Sequence, residues 1–307
     1  MNVRDWSLII FTILTQMAVG SFIVLGVVYF FAKRKAGEAE ADRLSDRALL
    51  AIGPILVLGA IASLFHLGTP LNAYRAVSNL GSSWLSREIL LTVTFIVIGG
   101  VFAIMQWRKL ATAQARTVVA WVAAVVGIAL VYAMSNVYML RTTPGWDTAY
   151  TPIMFFTTAF LLGTLAVAVA YVANHAYLQR KGAPGLETQK ELLRGALRWF
   201  SFVAIALVGV NFLTTPLRTA YLAGSDAPAA NQSIQILMDD YALIYALRLV
   251  LVFVGAGILG LFIYRNAISA GRERVLGYLA YAAFVMVLVA EVLGRYLFYA
   301  TQVTTGL

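Results

Sequence analysis

Long apolar runs separated by short polar connections dominate this chain. Eight stand out, at Trp6 to Phe31, Ala48 to Leu67, Glu88 to Trp107, Val118 to Leu140, Ile153 to Tyr177, Ser201 to Leu217, Leu243 to Tyr264 and Leu276 to Tyr299. A bilayer core about 30 Å thick takes roughly 20 apolar residues per helical crossing, so each run is long enough to span. Helices are the expected form, because a barrel strand alternates apolar and polar residues over much shorter segments. The pattern therefore predicts an all-α, polytopic membrane protein with eight transmembrane helices, forming a single domain over residues 1–307. Lys33, Arg34 and Lys35 are expected to end the first span, and Gly68 and Pro70 the second. The first run is too long for a signal-peptide core and has no small-residue cleavage site, so it reads as a span.

Composition narrows the class. The 307 residues are 61% hydrophobic and 12% charged, with a mean hydropathy of +0.82. A soluble domain carries roughly 25% charged residues to solvate its surface, and half that number leaves the surface uncovered in water. The net charge of +9 could suit nucleic acid, but the bases are scattered between apolar runs, the pattern of membrane orientation signals. With no cysteine, the chain holds neither a disulfide nor a thiolate-ligated iron–sulfur cluster.

Orientation follows from the connections. Segments 32–47, 108–117, 178–200 and 265–275 hold 16 Lys and Arg, whereas the alternate set holds only six: Arg4, Arg75, Arg87, Arg141, Arg218 and Arg248. This places both termini outside the cytoplasm. An internal likeness also appears. Leu67-Gly68-Thr69-Pro70-Leu71-Asn72-Ala73-Tyr74 resembles Leu213-Thr214-Thr215-Pro216-Leu217-Arg218-Thr219-Ala220-Tyr221, and Phe11-Thr12 aligns with Phe156-Thr157 at nearly the same offset. The likeness suggests two parallel four-helix units, 1–145 and 146–307, with His66 opposite Phe212.

Few residues could carry chemistry. His66 and His175 fall on opposite faces of the membrane core, so they cannot ligate one haem iron from two sides. His66 ends the second span, where the helix carbonyls favour an imidazolium and poise it to take up a proton. Glu88 opens the third span after Ser86, a natural N-cap, and shares the outer depth of His66. Two titratable groups at one membrane boundary suit proton acceptance, although each alone is explained as a helix cap. Glu291 and Arg295, four apart, are expected to pair on one face of the eighth span, with Glu291 a further candidate for proton conduction. Gln16, about 15 Å down the first span by helical rise, needs a partner on another helix or on a ligand carbonyl.

An ordered set of these residues is shared with a known family. Ile10-Phe11-Thr12 with Gln16, His66-Leu67-Gly68-Thr69-Pro70, Leu85-Ser86 with Glu88, Thr151-Pro152 before Phe155-Phe156, Asp240-Tyr241 with Arg248, and Glu291 with Gly294-Arg295 and Phe298-Tyr299 resemble the membrane anchor subunit of dimethyl sulfoxide reductase, the DmsC family. The resemblance implies an eight-helix anchor in a bacterial inner membrane, with both termini outside. In that family the subunit binds menaquinol and passes its electrons to an iron–sulfur subunit, which delivers them to a molybdopterin catalytic subunit in anaerobic respiration. The family's histidine and glutamate match His66 and Glu88. Gln16, Arg87 and Glu291 join them as expected quinol contacts, and Arg75, Arg87, Arg218, Asp239 and Asp240 are expected beside a partner docked on the outer face. The longer connection between the fifth and sixth spans departs from the family and leaves the terminal substrate open, with other sulfur-compound or oxyanion oxidoreductases as alternatives. A secondary transporter is the rival class, for which Gly- or Pro-broken helices would be expected at the membrane centre in both halves.

Overall fold

A computed structural model describes residues 3–65, 79–269 and 271–305. Every regular element among them is helical: α1 (Val3–Ala36), α2 (Glu38–Leu64), α3 (Trp84–Arg108), α4 (Ala113–Val137), α5 (Tyr150–Arg180), α6 (Leu186–Ala223), α7 (Pro228–Asp239), α8 (Ala242–Val252), a π-helical turn (Phe253–Ile258), α9 (Leu259–Ile268) and α10 (Glu273–Ala300). Eight helical units are long and apolar enough to cross a bilayer; α8, the π turn and α9 together form the seventh, and α10 the eighth. The chain is a multi-pass membrane protein, and an even number of crossings brings both ends to one face, here termed the terminal face.

Each of the eight expected runs corresponds to a helix among the described residues, most of them lengthened by polar turns that the hydropathy pattern does not register, although α4 stops at Val137, short of the expected Leu140. Lys33, Arg34 and Lys35 form the last turn of α1, as expected, and the helix gives way at Gly37, where φ is 85°. Only a glycine takes that left-handed conformation without strain. The Gly68-Thr69-Pro70 stop lies outside the described residues. Pro216 leaves α6 unbroken to Ala223. The sequence pattern missed α7, a short helix opened by Pro228, whose fixed φ suits the first helical turn. It buries only Ala229, Ala230, Ser233 and Leu237, a narrow stripe too small to stand out among polar residues.

The two most enclosed spans, α1 and α5, cross at Gly20 and Gly163. A Cβ on Gly20 would collide with the Ala159 carbonyl, and one on Gly163 would collide with the Gly20 backbone. Small residues let helix backbones meet in lipid, where packing and polar contacts take the place of a hydrophobic drive between helices. The Gly20 Cα hydrogen consequently points at the Ala159 oxygen, the geometry of a weak C–H···O bond. Around this crossing pack α2, α4, α6 and α10, while α3 lies against α2 and α4 at the periphery.

On the face opposite the termini, charges tie the helix ends together. Buried Arg116 donates to Glu38 Oε1 at 2.7 Å, Gln106 Oε1 at 3.0 Å and the Ala111 carbonyl at 3.1 Å. Gln106 Nε2 donates to Asp42 Oδ1 at 2.6 Å, and Lys109 reaches Asp42 and Asp46 at 2.8 and 2.9 Å. This network clamps α2, α3 and α4, so residues that read as orientation signals also fix geometry.

Gly163→Val should cost about 3 kcal/mol or more, because backbone rather than a flexible side chain opposes the added atoms. The expected result is little folded protein by size-exclusion chromatography in detergent. Arg116→Ala should cost about 2 kcal/mol by leaving the buried Gln106 carbonyl oxygen without its donor, measured as a lowered unfolding midpoint.

Candidate functional site

The polar groups of the terminal face converge where α3, α4, α5 and α10 end around α1. Ser83, not Ser86, caps α3: its Oγ accepts the Ser86 N–H at 3.3 Å. The helix therefore begins at Trp84 and Glu88 sits in its second turn. A carboxylate there is beyond the first-turn positions that the helix dipole favours most, so capping does not account for it. Glu88 is 4% exposed, and among the described residues its carboxylate makes no hydrogen bond.

Glu88 interacts electrostatically with Tyr138 and Tyr299. Tyr138 follows the last turn of α4, Tyr299 lies in the last turn of α10, and their hydroxyls are hydrogen-bonded at 2.5 Å. An aromatic frame holds both rings. Trp146 stacks on Phe298 with centroids 4.9 Å apart and donates its indole N–H to the Phe298 carbonyl at 2.8 Å, while Phe155 packs 5.6 Å from Tyr138. Thr12 of α1 adjoins the Tyr299 hydroxyl.

A second buried group begins one turn deeper. Arg295 lies 3.8 Å from the Phe155 ring centroid and donates through Nη2 to Gln16 Oε1 at 3.0 Å. Gln16 thus finds its partner on another helix. Glu291 Oε2 accepts from Thr158 Oγ1 at 2.6 Å. Although Glu291 and Arg295 interact electrostatically, they do not form the expected contact ion pair. The spacing rule assumes an open helix surface, whereas α10 packs between α1 and α5 and each charge is drawn to a different neighbour. Gln16 Nε2, Glu291 Oε1 and Arg295 Nη1 are buried without hydrogen-bond partners.

The other expected residues that are described fall elsewhere. His66 and Arg75 lie outside the described residues. Arg87 spends its donors on the carbonyls of Leu80 and Gly81, both at 2.8 Å, and lies over the Trp84 ring, which orders the loop before α3. Arg218 turns toward the Gly145 carbonyl at 3.0 Å, while Asp239 and Asp240 are exposed. His175 is near the opposite end of α5, far along the helix from this cluster.

Sequence reasoning missed Tyr138, Tyr299 and Thr158. Tyrosines at span ends read as interface anchors. Here two such tyrosines are buried against each other, and equal depth at the ends of two spans that run in the same direction is the only signal that could have paired them. The assembled geometry offers a buried carboxylate that meets no donor among the described residues and is electrostatically coupled to a hydroxyl pair, with a buried guanidinium and amide one turn deeper. Such a group can accept a proton at the carboxylate and relay charge through the hydroxyls.

Comparison with known proteins gives this geometry its setting. A model of the DMSO reductase anchor subunit family (DmsC) matches residues 1–301. The protein is 29% identical to the anaerobic dimethyl sulfoxide reductase subunit YnfH of Escherichia coli K12, covering 99% of this sequence and 97% of that one. It is 27% identical to the C subunit of anaerobic dimethyl sulfoxide reductase from the same organism, over 99% and 97%, and 28% identical to the corresponding C subunit of Haemophilus influenzae, over 98% and 95%. With a family match across nearly its whole length, the protein belongs to the DmsC family of dimethyl sulfoxide reductase membrane anchor subunits.

Proposed function

We propose that this anchor subunit oxidises a quinol, menaquinol by the family resemblance, at its terminal face, with Glu88 as a proton acceptor. The observation that carries the reading is a buried carboxylate without a hydrogen-bond partner among the described residues, electrostatically coupled to the Tyr138 and Tyr299 hydroxyls. Quinol oxidation releases two protons and two electrons, so the site needs a proton acceptor and an outlet for electrons. A carboxylate already engaged by donors would be a poor base, and Glu88 meets no donor among the described residues. His66, one span earlier in sequence, is the second acceptor and a contact to the quinol ring. The buried Gln16 amide has an unused N–H for a quinone carbonyl.

The electrons leave through a partner, since a protein without cysteine holds no thiolate-bound cluster. An iron–sulfur subunit carrying them to a molybdopterin catalytic subunit is the partner that the family relationship supports. The terminal face is the outer one by the Lys and Arg count, and the exposed Asp239 and Asp240 with Arg75 border the docking surface. Electrons and protons then leave on the same side, and the half-reaction moves no net charge across the membrane.

Glu88→Gln keeps the shape and removes the base, so quinol oxidation by the assembled complex should fall about 100-fold or more while an artificial donor to the partner subunits still supports full turnover. Unchanged quinol turnover would overturn the role of Glu88, and loss of the partner subunits would make the residue structural. Tyr138→Phe should slow quinol oxidation by a smaller factor of roughly 10, because it breaks the relay but spares the acceptor. A rate equal to wild type would remove the hydroxyl pair from the pathway.

A further inference from the structure

A cleft of about 40 Å³ opens near the terminal ends of α6, α8 and α10 and is lined by Arg218, Arg248, Tyr245, Thr215, Gly294 and Thr301 among others. Arg248 is 7% exposed and lies against Gly294, where a Cβ would come within 2.5 Å of its Nε. The glycine therefore makes room for the guanidinium. Arg218 is close enough to Arg248 for their charges to repel, and the Nε atoms of both are buried without partners. Arg218 has one hydrogen bond, to the Gly145 carbonyl, and Arg248 has none among the described residues. Neither meets a carboxylate within 4.0 Å among those residues.

Two like charges held together at membrane depth, with donors aimed into a shared space, require an anion. Arg295 adds a third positive charge nearby, and Glu291, the acid beside it, is engaged by Thr158. The space is larger than the 10–15 Å³ or so that one water needs in the same measure, and suits a compact oxyanion headgroup. Guanidinium groups match the oxygens of a phosphate by charge and by forked geometry. Beside the two arginines, Leu213, Leu217, Leu243 and Leu247 are exposed, 63%, 46%, 82% and 48% respectively, and would lie along acyl chains.

We propose that Arg218 and Arg248 form a phosphate-binding site that takes the headgroup of an anionic phospholipid. The cleft borders the quinol site through Phe298, but neither Glu88 nor the tyrosine pair lines it, and the proposal does not rest on the quinol reading. Full-length protein, stripped of lipid in detergent, is titrated with phosphatidylglycerol, phosphatidylcholine or inorganic phosphate while its unfolding midpoint is followed. Phosphatidylglycerol should raise the midpoint of the wild type well above the effect of phosphatidylcholine. Arg248→Gln and Arg218→Gln should weaken that binding roughly tenfold or more. Because each variant removes like-charge repulsion, its midpoint without lipid should equal or exceed that of the wild type, which separates lost binding from misfolding. Protection by inorganic phosphate equal to that by phosphatidylglycerol would support the phosphate site with a free anion as its source. Equal responses to the two lipids with none to phosphate, or variants that respond like wild type, would overturn the proposal. It would likewise fall if the variants shed the partner subunits and wild type ignored every phosphate, which would assign the arginines to a carboxylate of the partner.

Discussion

The crossing of α1 and α5 at Gly20 and Gly163 sets where every buried polar group of the terminal half can go. The two backbones meet there, and α10 packs against both helices. Gln16 is one turn from Gly20, and Thr158 lies little more than a turn from Gly163. These are the two side chains that receive Arg295 and Glu291. A wider crossing would place the same residues out of hydrogen-bond reach and leave charges stranded in lipid, at a cost of several kcal/mol. Backbone contact at one level is thus the condition for charge burial at the next.

The two faces handle charge differently. Opposite the termini, Arg116, Lys109, Glu38, Asp42 and Asp46 neutralise one another within hydrogen-bond distance, which braces helix ends that lie near water. At the terminal face, Glu291, Arg218, Arg248 and Arg295 each keep a buried polar atom without a partner, and Glu88 meets no donor among the described residues. A protein selected for rigidity alone would close those gaps. Incomplete satisfaction concentrated at one end of a bundle is what sites that exchange protons or hold ligands require, since a fully bonded group has nothing left to offer.

The spans were legible in the sequence because a bilayer demands some twenty consecutive apolar residues, a signal that no soluble element imitates. Glu88 was legible as a carboxylate beside an apolar run. What surrounds it was not: Tyr138 and Tyr299 are 161 positions apart and meet only after α4 and α10 are packed. Local rules failed where tertiary contacts competed with them. Ser86 satisfied the capping preference but yielded to Ser83, and Glu291 and Arg295 satisfied the pairing rule but found partners on α5 and α1. Glycine is frequent in membrane helices, so nothing in the sequence alone distinguishes Gly20 and Gly163 from the others; only the crossing does.

The π turn in the seventh span has a consequence for how that span evolves. Its buried positions Arg248, Val252, Ala256 and Gly260 recur every fourth residue, a spacing that drifts by about 40° per turn on a straight α-helix. The wider turn absorbs the accumulated drift, so the inward stripe of α8 continues into α9 although their phases differ by about one residue. The turn acts as a mechanical joint, and the half that aims Arg248 can be re-phased without repacking the half that anchors the span. Changes of one residue in length at Phe253 to Ile258 would be taken up locally, which makes this the place in the bundle where a helix can tolerate an insertion or deletion while keeping its inward face.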